Sequence, residues 1–252
     1  MLTAYITQTR SLLQLPGTQS TSLYSDADLT RWINIARGQL AGEAECIRVV
    51  GTISAVIGQQ PYTFAGINLG VPATTGVQGA INVNSMSYSV ASGQLWINPR
   101  PWPWFTLYEL NNAAPQAGPP RSWSQFGQGA APGNTGSGNG GTFYISPAPD
   151  YAYQLNCNCV CYPNALAVDG DVEAIPYLWT DAVPFFAAYF ALMSAQTNAR
   201  MADAAQMYKN HYKEFMDRAR GAANPSQIRW IYRQAPDPVQ AAKLGVKGGM
   251  SG

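Results

Sequence analysis

Three cysteines, Cys157, Cys159 and Cys161, stand at alternate positions of the segment QLNCNCVCY, and they are the first groups in the chain whose spacing invites a chemical reading. On an extended strand every second side chain points the same way, so the three thiols share one face. Same-face neighbours on a strand lie about 6–7 Å apart, too splayed to close a tetrahedral thiolate site unaided. Cys46 is remote in sequence and no histidine is nearby. The trio therefore reads as buried apolar cysteines, and neither metal nor cofactor is expected.

His211 is the single histidine, flanked by Tyr208, Tyr212 and Phe215. A triad would need a nucleophile motif such as G-x-S-x-G, which is absent, so it reads as a histidine at a core boundary or interface. Asp169, Asp171 and Glu173 form the acidic run DGDVE. A calcium loop demands further oxygen ligands at set spacing, and these are missing; a turn leading into a helix accounts for the run. The glycine-rich stretch GQGAAPGNTGSGNGG, residues 127 to 141, has no lysine and no G-K-[ST] ending, so it reads as a flexible loop and not a phosphate cradle.

Two segments look made for contact. WINPRPWPWF, residues 96 to 105, interleaves three tryptophans with prolines. Such rings can form a protein-binding ridge, a sugar-stacking platform, or a cover over one end of a β region. Near the C-terminus, IRWIYRQ places Arg229, Trp230, Ile231, Tyr232 and Arg233 in a proline-containing tail without sustained periodicity. A segment of that kind is extended until it docks.

These residues must be positioned by the rest of the chain. Its 252 residues suffice for a sizeable core in one large domain or two smaller ones. Charged residues are 12% of the total and the net charge is +1, which excludes the basic field of a non-specific nucleic-acid binder. With 24 glycines, 18 prolines, 14 tyrosines and 7 tryptophans, the composition suits loop-rich β structure or large buried interfaces. The sequence lacks an apolar run of membrane-spanning length and begins without a secretory-signal pattern, so no membrane span is expected; four cysteines in this length make no disulfide framework, so a reducing compartment is the simpler expectation.

The clearest element is SDADLTRWINIARGQLAGEAECIR, Ser25 to Arg48. Leu29, Trp32, Ile33, Ala36, Leu40, Ala44 and Ile47 recur at steps of three and four, and Ser25 with Asp28 makes a helix start. A shorter helix is predicted over Leu2 to Gln14, with Thr3 as its cap and Ala4, Ile6, Leu12 and Leu13 as its apolar residues. A loop follows at LPGTQSTSLY. From residue 49 the texture is β: VVGTISAVI, QPYTF, a hairpin of AINVNSMSYSV with QLWIN, a strand over Trp104 to Leu110, and a second hairpin of TFYIS with YAYQLNCNCVCY. Helices return after Asp169. One is YLWTDAVPFFAAYFALMSAQT, predicted as a largely buried helix with Pro176 in its first turn and Pro184 marking either its start after Asp181 or a kink. Another, Ala199 to Gly221, carries the stripe Met201, Ala204, Tyr208, Tyr212, Phe215 and Ala219.

The expected fold is α+β: a helical bundle from residues 1–48 and 167–224, an inserted antiparallel β domain over 49–166, and an extended C-terminal arm over 225–252.

Two stretches resemble a known family. LYSDADLTRWINIARGQLAGEAECIR, with a tyrosine and an acid before a W-I-N-x-A-R helix, is similar to the start of head-to-tail adaptor (connector) proteins of short-tailed bacteriophages. YPNALAVDGDVEAIPYLWTDAVPFFAAYFALMSAQTNARMADAAQMYKNHYKEFMDRA is similar to their C-terminal half, with an acid cluster, I-P, an alanine-rich aromatic helix, then A-x-x-Y and Y-x-x-F. The β insertion and the glycine-rich loop carry no part of the resemblance.

The resemblance implies a structural virion protein without catalytic activity, placed at the head–tail junction and assembled in the host cytoplasm. It implies a homo-oligomeric, dodecameric ring beneath the portal protein ring, joining the capsid to a tail nozzle or tail tube protein. The ring would prolong the channel through which genomic DNA passes without sequence-specific binding. Ser25–Arg48, Asp181–Thr197 and Ala199–Gly221 would be bundle helices, and Pro225–Gly252 the arm. Portal contact would fall on Arg229, Trp230, Ile231, Tyr232 and Arg233, and subunit or portal contact on Arg31, Arg37 and Arg48. Low charge and abundant aromatics suit such a subunit, and near-neutrality suits a conduit that must not grip phosphates. The alternatives are a tail-associated carbohydrate-binding β module, suggested by the tryptophans, and a hydrolase whose carboxylates or Ser/His residues converge only in three dimensions.

Overall fold

The structure, a computed structural model, describes residues 1–13, 24–71, 75–90, 93–110, 117–127, 141–195 and 199–223. The loop expected after the first helix, the glycine-rich loop and the C-terminal arm lie outside the described residues, as do Arg229, Trp230, Ile231, Tyr232 and Arg233. Mixed α+β architecture is observed, with a seven-stranded sheet that lies in sequence between the second and fourth of five helices.

Helix α1 spans Leu2–Leu12 and α2 spans Asp26–Ala44. The start of α2 is a complete capping box: the Asp28 amide donates to the Ser25 hydroxyl oxygen, and the Asp28 carboxylate accepts from the Ser25 amide. This satisfies free amides at the positive helix end. Leu29, Ile33, Ala36, Leu40 and Ala44 are buried as their spacing predicts. The helix stops short of Arg48, however. Glu45 turns left-handed at φ 53, and its carboxylate accepts from Arg48 Nη2 (2.7 Å) and Asn84 Nδ2 (2.9 Å). Tertiary partners hold that residue in a backbone region side chains seldom adopt. In α1 the buried side is Leu2, Tyr5, Thr9 and Arg10, whereas Ala4 is exposed, because Tyr5 reaches inward to a buried carboxylate.

The strands are β1 (Arg48–Ser54), β2 (Pro61–Thr63), β3 (Val77–Val90), β4 (Gly93–Pro99), β5 (Ser122–Phe126), β6 (Thr142–Ser146) and β7 (Gln154–Pro163), in the spatial order β1-β7-β3-β4-β5-β6-β2. All pairings are antiparallel except β4 with β5, a correction to a wholly antiparallel sheet. The β3–β4 hairpin is as predicted, with Val90 opposite Gly93. The β6–β7 hairpin is not: β7 lies between β1 and β3, and β6 lies between β5 and β2. Strand β7, buried at Leu155, Cys157, Cys159, Val160 and Cys161, pairs along one edge with β1 and along the other with β3, which satisfies its buried backbone groups. With β1 and β3 in those places, none is left for β6.

Trp104 to Leu110 is likewise no strand. Trp102–Phe105 is a short helix, α3, continuing as a wider turn over Thr106–Leu110. Proline fits a first helical turn, where amides have no partner to lose, so Pro103 overrides the β-propensity of its neighbours.

The sheet curls on itself. Beyond β2 the chain runs back past β1, where Thr52 and Asn68 exchange both backbone hydrogen bonds (2.7 and 2.8 Å). Gly51, opposite Cys157, permits this approach: a Cβ there would fall 2.4 Å from Ile67 Cγ2 and 3.3 Å from the Asn68 carbonyl. Inside lie Tyr62, Phe64, Met86, Phe143, Ile145, Leu155 and the cysteines, with the Tyr62 and Phe143 rings stacked at 5.5 Å.

After β7 come a 3-10 turn (Tyr177–Trp179), α4 (Ala182–Ala195) and α5 (Ala199–Ala223). Pro184 sits in the first turn of α4, where it costs no hydrogen bond. Helix α4 packs against α1, α2 and α5. Phe186 stacks on Tyr212 at 4.2 Å, and Phe185 meets Tyr208, His211 and Phe215.

Replacing Gly51 with valine forces apart the two segments that close the curl. The variant should lose about 1–3 kcal/mol of stability, the usual cost of overpacking, in urea denaturation; an unchanged midpoint would show that the approach of residues 67–69 is not fixed by Gly51.

Candidate docking surfaces

Beneath the molecular surface a polar knot joins the two ends of the chain. Arg37, on α2, is 1% exposed. Its Nε and Nη2 donate to the Glu173 carboxylate at 2.9 and 2.8 Å, and its Nη1 donates to Asn34 Oδ1 (3.0 Å) and the Asn164 carbonyl (2.7 Å). Glu173 also accepts from the Tyr5 hydroxyl (2.9 Å) and the Ile175 amide (2.9 Å). Asn34 donates to the Leu166 carbonyl and accepts from the Leu166 amide. Burial, and next the Glu173 charge, push the Tyr5 phenol far above its ordinary range, so it remains a donor.

The acidic run is thus structural. Asp169 accepts from the Met1 amino group (2.6 Å) and the Thr3 amide; Asp171 accepts from the amides of Ala167 and Val168. These donors hold both carboxyls below the usual aspartate range. Arg37 is accordingly removed from the residues expected at a subunit or portal contact, because all its donors face inward. Arg48 is half-buried and bound to Glu45, and Arg31 is exposed.

The cysteines, too, are interior groups. Burial raises Cys157 to about 12 and Cys161 to about 11, and drives Cys159 up as well, leaving neutral thiols. Among the described residues no group of three histidine, cysteine or acidic side chains is arranged to hold a metal ion. His211 is half exposed, 5.4 Å from the Phe185 ring and 3.9 Å from Glu214.

The tryptophan segment covers the sheet. Trp102 packs on Phe126 (5.0 Å) and Tyr144 (4.9 Å), and Trp104 lies between Tyr108 and the Arg100 guanidinium, 4.6 Å from its ring. Glu109 accepts from Ser122 and Ser146 and so pins this turn to β5 and β6. Those ring faces are occupied within the chain; Trp96 remains 55% exposed.

Two surface features escaped the sequence. The first is an open groove of about 940 Å³ along α2, lined by Arg31, Ile35, Gly38 and Gly42 on the helix and by Ile81 and Tyr162 on the sheet. Of all its lining residues only Glu43 bears a carboxylate, so it offers no carboxylate pair for hydrolysis. The second is a knob in the 3-10 turn, where Tyr177 is 85% and Leu178 74% exposed. Both residues fall in the stretch predicted as a largely buried helix, but α4 begins only at Ala182 and leaves them in a separate exposed turn.

The sequence profile of the SU10 adaptor protein family matches residues 3–237, nearly the whole chain. The chain belongs to that family, a family of phage head-to-tail adaptors. No curated protein matches it. No helix among the described residues is long and apolar enough to cross a membrane.

Arg37→Ala should cost about 3–5 kcal/mol in chemical denaturation, since Glu173 is left buried without its counter-charge; a loss below about 1 kcal/mol would place the knot outside the stability of the fold. In the folded protein at pH 8, Cys157, Cys159 and Cys161 should resist a thiol reagent and react only with unfolding. Rapid modification of all four native cysteines would contradict their burial.

Proposed function

We propose that the chain is the repeating subunit of a homo-oligomeric ring, of twelve copies by resemblance, which docks under the portal ring and connects the capsid to the tail nozzle or tail tube. The family match over residues 3–237 carries this reading. Further support comes from the two stretches that resemble phage adaptors: Asn34 and Arg37 of W-I-N-x-A-R meet Leu166 and Glu173 of the later stretch. The similarity therefore coincides with one joined structural unit.

In this reading residues 1–48 and 167–224 are the ring body and 49–166 face the tail. Residues 225–252 are the arm that reaches the portal through Arg229, Trp230, Ile231, Tyr232 and Arg233. Arg31 and Arg48 serve contacts at the subunit surface. A net charge of +1 suits a lining that lets genomic DNA pass without holding it. The exposed Val50 on β1, Ile57 in the turn after it, and Leu107 and Tyr108 in the turn over Thr106–Leu110 suit a subunit with further partners. The protein's place is then the head–tail junction of the virion, after assembly in the host cytoplasm.

Truncation after Asn224 should leave the thermal melt unchanged and abolish co-sedimentation with portal rings. Retention at the full-length level would remove the arm from portal recognition.

A further inference from the structure

A ring built by one kind of contact needs two different sticky patches on each subunit. The groove and the knob meet that requirement. Residues 29, 33, 36 and 40 of α2 face the helical core, whereas Gly38 and Gly42 lie about 180° around the axis from that side. The groove thus opens between that side of α2 and the sheet, and α5 reaches its far end, where Arg220 Nε donates to the Glu43 carbonyl (3.0 Å). Tyr177 and Leu178 stand at the start of α4, in a turn that touches α5.

Both patches are costly for an isolated subunit. Large side chains as exposed as Tyr177 and Leu178 are typical of interaction sites when they stand together. In the groove, Ile35 is 40% exposed beside two helix glycines, and a Cβ at Gly42 would meet nothing within 4 Å. Nothing inside the subunit requires glycine there, although glycine weakens a helix interior. An incoming side chain would use the room.

Charge points to the same match. Arg31 lies on the groove wall and Asp181 just beyond the knob; both are exposed, and neither has an ion-pair partner among the described residues.

We infer that Tyr177 and Leu178 of one copy insert into the α2 groove of a second copy, over Ile35, Gly38, Gly42, Ile81 and Tyr162, with Asp181 facing Arg31. The contact is heterologous: each subunit gives a knob on one side and receives one on the other. It rests on the ring reading above and names the surfaces that would build the ring.

The test uses the full-length chain carrying Cys46→Ala, in two tagged versions, Leu178→Cys and Gly42→Cys, joined by a short bismaleimide. Both positions are solvent-facing, and circular dichroism checks that the variants fold. Mixtures are cross-linked free at high concentration and again with portal rings, and portal co-sedimentation is measured in the same samples. The mixed Leu178→Cys/Gly42→Cys product should exceed both self-pairs several-fold. Asp181→Arg in the knob partner should lower it, and Arg31→Asp in the groove partner should restore it. Self-pairs equal to or above the mixed product, or Gly42→Cys joining portal instead of a second copy, would overturn the assignment. If the chain still sediments with portal in that case, the adaptor reading stands and only the knob–groove contact falls; absence of portal binding would count against the adaptor reading itself.

Discussion

The ion pair between Arg37 and Glu173 ties the molecule together. One partner comes from the second helix and the other from the loop that follows the last strand, with the whole sheet between them in sequence. Two charges taken out of water are unfavourable unless geometry and further hydrogen bonds compensate. Here Asn34, the Asn164 carbonyl, the Tyr5 hydroxyl and the Ile175 amide complete the set. The orientation of α1, the path of the chain out of β7 and the entry into α4 are all referred to this one pair. The knob at Tyr177 begins four residues after Glu173, and the groove wall includes Asn34 and Arg37. The buried pair therefore sets where both surface patches stand.

Much of this was legible from residue spacing. The α2 face and the shared burial of the three cysteines follow from periods of 3.6 and 2, the α2 start from the Ser25/Asp28 pair, and the β3–β4 hairpin from the turn at residues 91–93. What failed did so where distant contacts decide. Arg37 reads as a surface cation because it is charged, yet at about 100° per residue it falls about 40° from Ile33 and 20° from Ala44, within the apolar face. That placement was a signal of a buried cation; its partner in the acidic run was not deducible locally. The end of α2 at Glu45 depends on Asn84, and the β6–β7 hairpin failed because either strand could have alternated against other neighbours. Trp104 to Leu110 has strand-forming residues, but the prolines before it set a helical turn.

The surface patches were harder still. A groove is a property of two elements at once, and Gly38 and Gly42 in a helix give no indication of what faces them. Tyr177 and Leu178 belong to no period. Membership in a phage adaptor family gives both patches a context, since an adaptor associates with other components of the virion.

Electron microscopy of the full-length chain mixed with portal rings addresses the adaptor role most directly. A second ring of density, coaxial with the portal and on one of its faces, is the predicted image. Bare portal rings beside dispersed chain, at concentrations where the chain is folded and in excess, would contradict it.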